Sequence, residues 1–527
     1  MTFSRPNRSD ATATRNRTPK SVSPFSGMCT TCRDGCEGFC EVGKSAVRGK
    51  EAIYPEPFGE VSSASEKDYP IDFSHFNILG SVVCARGGSP GCSPDVFQDI
   101  NLERAIGRRG NLKVKLPVII GAMGSTDIAS RNWDGLAVGA AISGTVITIG
   151  ENVCGMDPRA EFKNGRVVNS PELKRRVKLF QNWNDGFGTI AVQANIEDNI
   201  IGVHEYALDK LGIQAVELKW GQGAKSIGGE VQIKSLERAL MLKRRGYIVL
   251  PDPEDPIVQE AYHQGAVAAF ERHSRVGTVD EESFLRRVEQ LRQAGARFVF
   301  LKTGAYRPAD LARAVKYASD AQLDLLIVDG AGGGTGMSPW RMMNEWGIPT
   351  IWLESLLYRY LDSLADKGAY LPAVAMAGGF SLEDHVFKGL AMGAPYVKLI
   401  AMGRAPLAAA MVAKTIGHSI KQGKISSIYQ RYGATKLQIF YCATELKQRF
   451  GKDFNRIPDG ALGVYNYFER LKQGLRQLMC GARISNLDGI DRGSLVALTP
   501  EAARVSGIPY VMELDQDLSK NILGLTR

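Results

Sequence analysis

Eight short apolar segments alternate with amphipathic, helix-like segments between Lys113 and Lys424, and this alternation constrains the fold more than any other feature. Short apolar segments that are each followed by a turn and a helix are typical of parallel βαβ units. Eight such units predict a closed (β/α)8 barrel of the TIM type, an α/β fold, rather than an open sheet. The apolar segments are 116–121, 145–149, 189–193, 215–219, 298–302, 325–329, 373–377 and 396–400.

The same pattern divides the chain into four parts. Residues 1–27 are basic and rich in Ser, Thr and Pro, which predicts a disordered tail. We expect a cysteine-rich segment and a linker with little regular structure over residues 28–112, and the barrel over residues 113–424. Residues 425–527 are predicted to form a mostly helical C-terminal region. The long interval between the fourth and fifth apolar segments predicts an insertion in the fourth βα loop.

Composition excludes several classes of protein. Hydrophobic residues at 44% and charged residues at 23% are typical of a soluble globular chain. No apolar stretch reaches the roughly 20 residues of a membrane-spanning helix, and the first 27 residues lack the apolar core of a signal peptide. We therefore expect a cytoplasmic protein with no membrane partner. No nucleic-acid-binding motif is present, so no nucleic-acid partner is expected, and a homo-oligomer is compatible with the sequence.

Four cysteines lie within twelve residues: Cys29, Cys32, Cys36 and Cys40. In a cytosolic chain, cysteines this close together indicate metal or cluster ligands rather than disulfides. Structural zinc sites commonly divide their ligands between two separate pairs, whereas this group is compact. The spacing favours a [4Fe–4S] cluster, with zinc as the alternative.

Glycine-rich segments follow the sixth, seventh and eighth apolar segments. In a barrel these positions meet at the carboxyl ends of the strands, where active sites form. Glycine lets backbone amides approach an anion closely, and arginine adds a fixed positive charge. The segments therefore predict a phosphate site; the alternative is that these glycines only turn the chain back into a helix. They contain Gly333, Gly334, Gly378, Gly379, Gly403 and Arg404.

Lysines end the fourth and fifth apolar segments, at Lys219 and Lys302. An ammonium group in a barrel mouth is costly unless an anion accompanies it. A phosphorylated flavin would supply one, because reduced flavin carries negative charge near N1 and O2 that a lysine stabilises. Lys302 suits that role. The alternative is an ion pair with a neighbouring Asp or Glu.

These motifs resemble the flavin domain of glutamate synthase. Residues 329–340, Asp-Gly-Ala-Gly-Gly-Gly-Thr-Gly-Met-Ser-Pro-Trp, are similar to the Gly-Gly-Thr-Gly-Ala-Ser-Pro signature of that domain. Residues 222–225, Gln-Gly-Ala-Lys, match a second run of the family. Weaker matches are the Gly-Ala-Met, Gly-Glu and Gly-Gly-Phe segments at 121–123, 150–151 and 378–380. The resemblance covers roughly residues 116–410.

The resemblance implies an FMN-binding (β/α)8 barrel that reduces the imine of 2-oxoglutarate and ammonia. It implies cofactor contacts from Ala122, Met123, Gly124, Ser125, Gln193, Lys302, Gly333, Gly334, Gly378, Gly379, Gly403 and Arg404. It implies substrate contacts from Lys219, Gln222, Lys225, Glu230 and Arg244. Lys302 and Lys225 are the implied catalytic residues.

Some positions depart from the family pattern. The chain has no N-terminal catalytic cysteine of an amidotransferase, so ammonia would come free or from a partner. The cysteine group precedes the barrel, whereas the family has its cluster after it. Glu230 stands where the family uses a glutamine. A carboxylate there would repel a second substrate carboxylate, so we expect a substrate with one carboxylate and a cationic or neutral polar far end.

Together these observations predict an FMN- and iron–sulfur-dependent oxidoreductase that acts on an amino acid or its 2-oxo counterpart. Electrons would come from a separate donor, either a ferredoxin or an NAD(P)H-dependent subunit. One alternative is an FMN enzyme of the same fold with an unrelated substrate. The other is a zinc-stabilised barrel without redox chemistry that serves as a subunit of a larger assembly.

Overall fold

A computed structural model of the chain describes residues 28, 32–38, 40–49, 71, 73–82, 100–220, 231–273, 275, 277–331 and 346–525. Within these residues, none of the helices combines the length and the apolar character that crossing a membrane would require.

Eight parallel strands close into a barrel, which confirms the predicted (β/α)8 fold. The barrel strands are β1 (Val118–Met123), β2 (Ile147–Ile149), β3 (Ile190–Ala194), β4 (Ala215–Lys219), β5 (Phe298–Thr303), β6 (Leu325–Asp329), β7 (Ala373–Ala377) and β8 (Val397–Met402). Each strand pairs with the next one in sequence, and β8 pairs with β1 through Ile400 and Val118. Every predicted apolar segment is one of these strands, with ends displaced by up to two residues.

The inside of the barrel is apolar at its lower and middle levels. Because successive side chains of a strand point to opposite faces, every second residue faces inward. The inward side chains that pack together are Ile119, Val146, Ala191, Ala215, Phe298, Phe300, Leu325, Ile327, Ala375, Ala377, Leu399 and Ala401. This core is a filled interior rather than a pore, as barrels of eight strands require.

A short antiparallel hairpin, Arg104–Ile106 with Leu112–Val114, covers the amino-terminal end of the barrel. Ile106, Leu112 and Val114 are buried in the same cluster as the inward residues. The prediction that residues 28–112 hold little regular structure is therefore wrong at this point. The hairpin forms because its alternating apolar residues find the open floor of the barrel, a surface that the local sequence does not reveal.

Helices surround the barrel and bury the outward residues of the strands. Those that take part in the site or its supports are α1 (Glu41–Arg48), α2 (Asp127–Ser143), α3 (Pro171–Gln181), α4 (Val203–Leu211), α5 (Glu281–Gln293), α6 (Pro308–Asp320), α7 (Thr350–Ala365), α8 (Glu383–Met392), α9 (Arg404–Gln422) and α10 (Asp459–Gly481). Shorter helices are Val153–Met156, Ile196–Ile200, Leu236–Arg244, Pro256–His263, Ser427–Gln430, Lys436–Ile439, Ala443–Phe450, Pro500–Ser506 and Gln516–Ile522.

The predicted insertion between β4 and β5 folds into a three-stranded antiparallel sheet with two of the shorter helices. Its strands are Val231–Ile233, Ile248–Leu250 and Phe270–His273, with Phe270–His273 in the middle. Two further antiparallel pairs join Glu161–Lys163 to Arg166–Asn169 and Phe76–Ile78 to Leu495–Ala497.

The N-terminal helix α1 packs against the barrel helix α9 and the long C-terminal helix α10. Arg470 on α10, 1% exposed, connects them: its guanidinium lies 3.0 Å from Glu383 and 3.3 Å from Glu41. Arg470 also donates to the hydroxyl of Ser45 over 2.7 Å. A buried arginine with two carboxylates and a hydroxyl fixes the cysteine-rich segment against the barrel.

Candidate active site

The inward positions become polar at the carboxyl ends of the strands. Above the apolar core, strands β2 to β6 present Thr148, Gln193, Glu217, Lys219, Lys302 and Asp329 toward the barrel axis. The registers place these residues side by side: Gln193 is opposite Glu217, and Lys219 is opposite Lys302. This polar layer is the centre of the candidate site.

Both lysines of the layer are held by carboxylates. The ammonium of Lys219 lies 2.9 Å from Glu151 Oε1, and that of Lys302 lies 3.2 Å from Asp329 Oδ2. Burial opposes ionisation of Glu151, but Lys219 outweighs it and holds the pKa of Glu151 below its usual value. Burial likewise would lower the pKa of Lys302, but Asp329 and Glu217 raise it overall. The ion-pair alternative for these lysines is therefore what the structure contains, and their charges alone do not call for a ligand anion.

Glu217 is a fully buried carboxylate in the middle of the layer. Gln193 Nε2 donates to its Oε1 over 2.5 Å, and the hydroxyl of Thr148 donates to its Oε2 over 3.1 Å. Burial raises the pKa of Glu217, and the ammonium of Lys302 acts in the opposite direction. The sequence analysis missed this residue, although it stands two positions before Lys219 and therefore on the same face of β4.

Backbone segments at the ends of β6 and β7 are in close contact. Thr350 Oγ1 donates to the carbonyl of Gly378 over 2.7 Å, and the amide of Gly330 donates to that of Ala377 over 2.9 Å. A Cβ on Gly378 would lie 2.4 Å from Thr350 Oγ1, so only glycine fits there. Gly378 and Gly379 both have positive φ, at 127° and 102°.

The predicted anion-binding turn after β8 is the N-terminus of α9. Gly403 is its N-cap, and no side-chain oxygen caps the helix. Arg404 is its first residue, with an exposed side chain. The first amides of a helix lack intrahelical partners and carry partial positive charge, so an anion is stabilised in front of them. A Cβ on Gly403 would meet one atom within 4 Å, Met123 Cε at 3.5 Å.

The residues predicted to lie against a flavin ring, Ala122–Ser125, follow β1 and are fixed from two sides. The amide of Gly150 donates to the carbonyl of Met123 over 2.8 Å. Arg176 on α3, 1% exposed, donates to the carbonyl of Gly124 over 2.8 Å and lies 2.8 Å from Glu172. This buried arginine, which the sequence analysis also missed, gives the segment a defined conformation.

A second buried network joins the inserted sheet to the site. Asn152 directly follows Glu151; its amide donates to Asp198 Oδ2 over 2.8 Å, and its side chain accepts from Tyr247 over 3.2 Å. Arg272, 2% exposed, stacks 5.2 Å above the ring of Tyr247. Burial and the neighbouring Glu151 raise the pKa of Asp198 to about 7. The insertion therefore contributes polar side chains behind the Lys219–Glu151 pair.

A cavity of about 420 Å³ opens beside Lys219, between the ends of β3 and β4 and the start of α5. Its polar lining includes Asn195, Arg275 and Arg287. Each arginine already has a carboxylate partner: Arg275 lies 3.3 Å from Glu197 and Arg287 lies 2.6 Å from Glu205. The cavity therefore offers space next to the polar layer, and the positive charges of its two arginines are largely compensated.

Other predicted site residues are elsewhere or outside the described part of the chain. Arg244 ends the helix Leu236–Arg244 of the insertion with an exposed side chain, so it does not belong to the polar layer. The remaining residues, outside the described ranges, are Gln222, Lys225, Glu230, Gly333, Gly334 and Cys29. Their roles stay predictions.

Three of the four clustered cysteines are described. Cys32 and Cys36 are half-buried, and Cys40 is buried at the start of α1. Backbone amides donate to two of the sulfurs, from Gly38 to Cys36 over 3.3 Å and from Gly43 to Cys40 over 3.4 Å. Amide donors of this kind stabilise thiolates. Across the described residues, however, no three His, Cys, Asp or Glu side chains are gathered around one potential metal position.

Comparisons with known proteins show a similarity to glutamate synthases. Residues 271–414 match the conserved region in glutamate synthase. The archaeal glutamate synthase [NADPH] of Archaeoglobus fulgidus is 25% identical over 316 residues, which cover 58% of this chain and 52% of that protein. That of Methanocaldococcus jannaschii is 28% identical over 200 residues, covering 37% and 34%. The chain thus spans about half, or less, of the length of these curated relatives.

Two solved structures with a partly similar trace both give TM-scores below 0.5. The flavin-binding domain of baker's yeast flavocytochrome b2 gives a TM-score of 0.46 at 12% identity, covering 84% of this chain and 80% of that one. A soluble mutant of (S)-mandelate dehydrogenase from Pseudomonas putida gives 0.43 at 13% identity, covering 92% and 96%.

The region similar to glutamate synthase contains strands β5 to β8 and with them Lys302, Asp329, Gly378 and Gly403. The match therefore includes half of the barrel wall and the helix N-terminus that faces the site. Over this region the chain is similar to the glutamate synthase family.

Proposed function

We propose that this protein is an FMN-dependent oxidoreductase of the glutamate synthase type that acts on an amino acid or its 2-oxo counterpart. One observation carries the proposal: the conserved region supplies both Lys302, a lysine of the polar layer with a 14% exposed side chain, and the N-terminus of α9 on the same rim of the barrel, at Gly403. When bound, FMN would supply reversible hydride transfer.

Three features fit FMN. The N-terminus of α9 and Arg404 provide amides and a charge for the phosphate. Lys302 stands at the level where the N1/O2 edge of the ring would lie, as the family implies. Gln193 Oε1 is buried with no hydrogen-bond partner among the described residues, so the layer holds an acceptor that a ligand N–H would satisfy.

Gly403→Ala is the sharpest test of the phosphate position. The fold accepts the new methyl group, because the backbone φ of −104° is ordinary and the contact with Met123 at 3.5 Å is normal. Gly379 is less suitable, since its φ of 102° strains any other residue. The methyl would project into the space before the helix N-terminus, and we expect FMN affinity to fall at least about tenfold, or ~1.4 kcal/mol.

Gly481→Ala is the matched control, because its Cβ would meet nothing within 4 Å at the end of α10. FMN content is measured by absorbance after purification, and affinity by fluorescence titration of the reconstituted protein. If the Gly403 variant binds FMN with wild-type affinity, the phosphate does not bind at the N-terminus of α9. A colourless wild-type protein that binds no FMN on titration would overturn the proposed function.

The substrate would carry a carboxylate, held by Lys219, Lys225 and Gln222. Glu151 already compensates the charge of Lys219, which weakens the electrostatic case for a second substrate carboxylate. This supports a substrate with one carboxylate and a cationic or neutral far end, with Glu230 facing that end. The cavity beside Lys219 offers room for such a group.

An iron–sulfur cluster on Cys29, Cys32, Cys36 and Cys40 would deliver electrons from a separate donor. Their spacing and the amide donors to Cys36 and Cys40 support it. Gly38 packs against Val412, since its Cβ would be 2.7 Å from that side chain. Val412 is eight residues from the start of α9, about 12 Å along the helix axis. The cysteine segment is thus near the proposed phosphate site.

A further inference from the structure

Glu217 is the most deeply placed ionisable group of the polar layer. It is fully buried on β4, between Gln193 on β3 and Lys302 on β5. The cation that acts most strongly on it is Lys302, but that ammonium is paired with Asp329. A carboxylate in such a position is expensive to bury unless its hydrogen bonds are satisfied. It calls for an explanation beyond packing.

The hydrogen bonds of Glu217 determine the orientation of Gln193. Gln193 Nε2 donates to Glu217 Oε1, so the NH2 group of Gln193 faces this carboxyl, which only accepts hydrogen bonds when it is ionised. Thr148 donates to the other oxygen and strengthens the acceptor-only arrangement. The carbonyl oxygen of Gln193 is then forced to the opposite side, where it is buried without a donor among the described residues. An orphaned acceptor of this kind costs roughly 1–3 kcal/mol.

We infer that Glu217 is a positioning residue that orients Gln193 Oε1 to accept the N3–H of the flavin ring. The inference rests on the proposed function, since it needs FMN in the barrel. The ring edge that would face β3 to β5 carries one N–H donor, N3, next to the O2 acceptor. Gln193 would meet the donor, and Lys302, two strands away, would meet O2 and N1. A flipped Gln193 amide would instead set an NH2 group against N3–H and lose the bond.

The test uses FMN and its N3-methyl analogue, which cannot donate from N3. Apoprotein of the full chain is titrated with each, and the ratio of the two dissociation constants measures the N3–H contact. We expect the wild-type protein to prefer FMN by about tenfold or more, as one buried hydrogen bond gives. Glu217→Gln should reduce the preference to within about threefold, because a glutamine side chain can accept or donate and no longer fixes the amide of Gln193.

Glu354→Gln is the matched control: it makes the same chemical change at another fully buried glutamate, on α7. It should keep the wild-type preference. Gln193→Leu removes the acceptor itself and should lose the preference too, which keeps the inference testable if the Glu217 variant does not fold. Thr148→Val leaves the Gln193–Glu217 hydrogen bond in place and should retain the wild-type preference for FMN over the N3-methyl analogue.

The outcomes separate the two proposals. If the wild-type protein binds neither flavin, the proposed function is wrong. If it binds FMN but shows no preference over the N3-methyl analogue, or if Glu217→Gln keeps the full preference, the FMN assignment stands and the role of Glu217 is refuted.

Discussion

A buried glutamate outside the polar layer yields the most quantitative prediction. Glu354 on α7 has no exposed surface, and neither carboxylate oxygen has a hydrogen-bond partner among the described residues. The nearest cation, Arg492, donates to the carbonyls of Met392 and Ser506 over 2.5 and 2.6 Å. Burial raises the pKa of Glu354 well above its usual value, with only partial opposition from Arg492.

The sign of the pH effect follows from linkage. Consider a carboxyl group that stays protonated in the folded protein but ionises in the unfolded chain. At a pH below its pKa in the unfolded chain, the group is protonated in both states and the free energy of unfolding is unaffected. Stability is then lost as the pH rises toward the folded pKa. The loss is about 1.4 kcal/mol per pH unit, or up to about 2.7 kcal/mol between pH 5 and pH 7. Glu354→Gln keeps a polar side chain of the same shape and removes the titration.

We therefore expect the free energy of unfolding of Glu354→Gln, relative to wild type, to increase from pH 5 to pH 7 by up to that amount. Urea unfolding at pH 5, 6 and 7, followed by circular dichroism, measures it. Glu513→Gln, an exposed glutamate, is the control and should follow the wild-type curve. Parallel pH dependences of wild type and Glu354→Gln would refute the reasoning, because Glu354 would then be ionised in the folded state or not buried.

Further substitutions test the supports of the site and its chemistry. Arg176→Met removes a buried hydrogen-bond donor from Glu172, which keeps Arg175, and from the carbonyl of Gly124, and should lower the free energy of unfolding by about 1–3 kcal/mol in urea titrations; a loss below 1 kcal/mol would show that the arginine is dispensable. Cys32→Ser should lose the roughly four irons per chain expected after anaerobic purification while FMN is retained, whereas zinc without iron in the wild type would contradict the cluster. Glu230→Gln should speed flavin reoxidation by 2-oxoglutarate and ammonia in stopped-flow absorbance, and rapid reoxidation of the wild type would show that Glu230 does not discriminate against dicarboxylates.

The barrel could be predicted because its signal is local and repeated. Each strand is a short apolar run followed by a turn, and β4, β6 and β7 have the same bounds in the structure as in the sequence analysis. The hairpin Arg104–Ile106 with Leu112–Val114 was missed for the opposite reason. Its strands have three residues each and are stabilised by the floor of the barrel, so nothing in their own sequence distinguishes them from a linker.

Part of the site was also accessible from the sequence. The ends of strands could be inspected once the barrel was predicted, which identified Lys219, Lys302 and Gly403. The partners of the lysines could not be identified in this way. Asp329 meets Lys302 from the neighbouring strand, and Glu151 meets Lys219 from the turn after β2, two strands away. The identity of such a partner depends on strand order and register rather than on proximity in the chain.

The sequence by itself thus determined the periodic elements and the residue types at the strand ends, because strand and turn preferences act over a few residues. Only the tertiary structure decided which charges compensate each other and which polar atoms are left unsatisfied. The pairing of β3 with β4 and of β4 with β5 places Gln193, Glu217 and Lys302 in one layer, although more than 100 residues separate the first from the last. Hydrogen bonds and ion pairs act over about 3 Å, so their partners follow from the register of the closed barrel and not from the order of the chain.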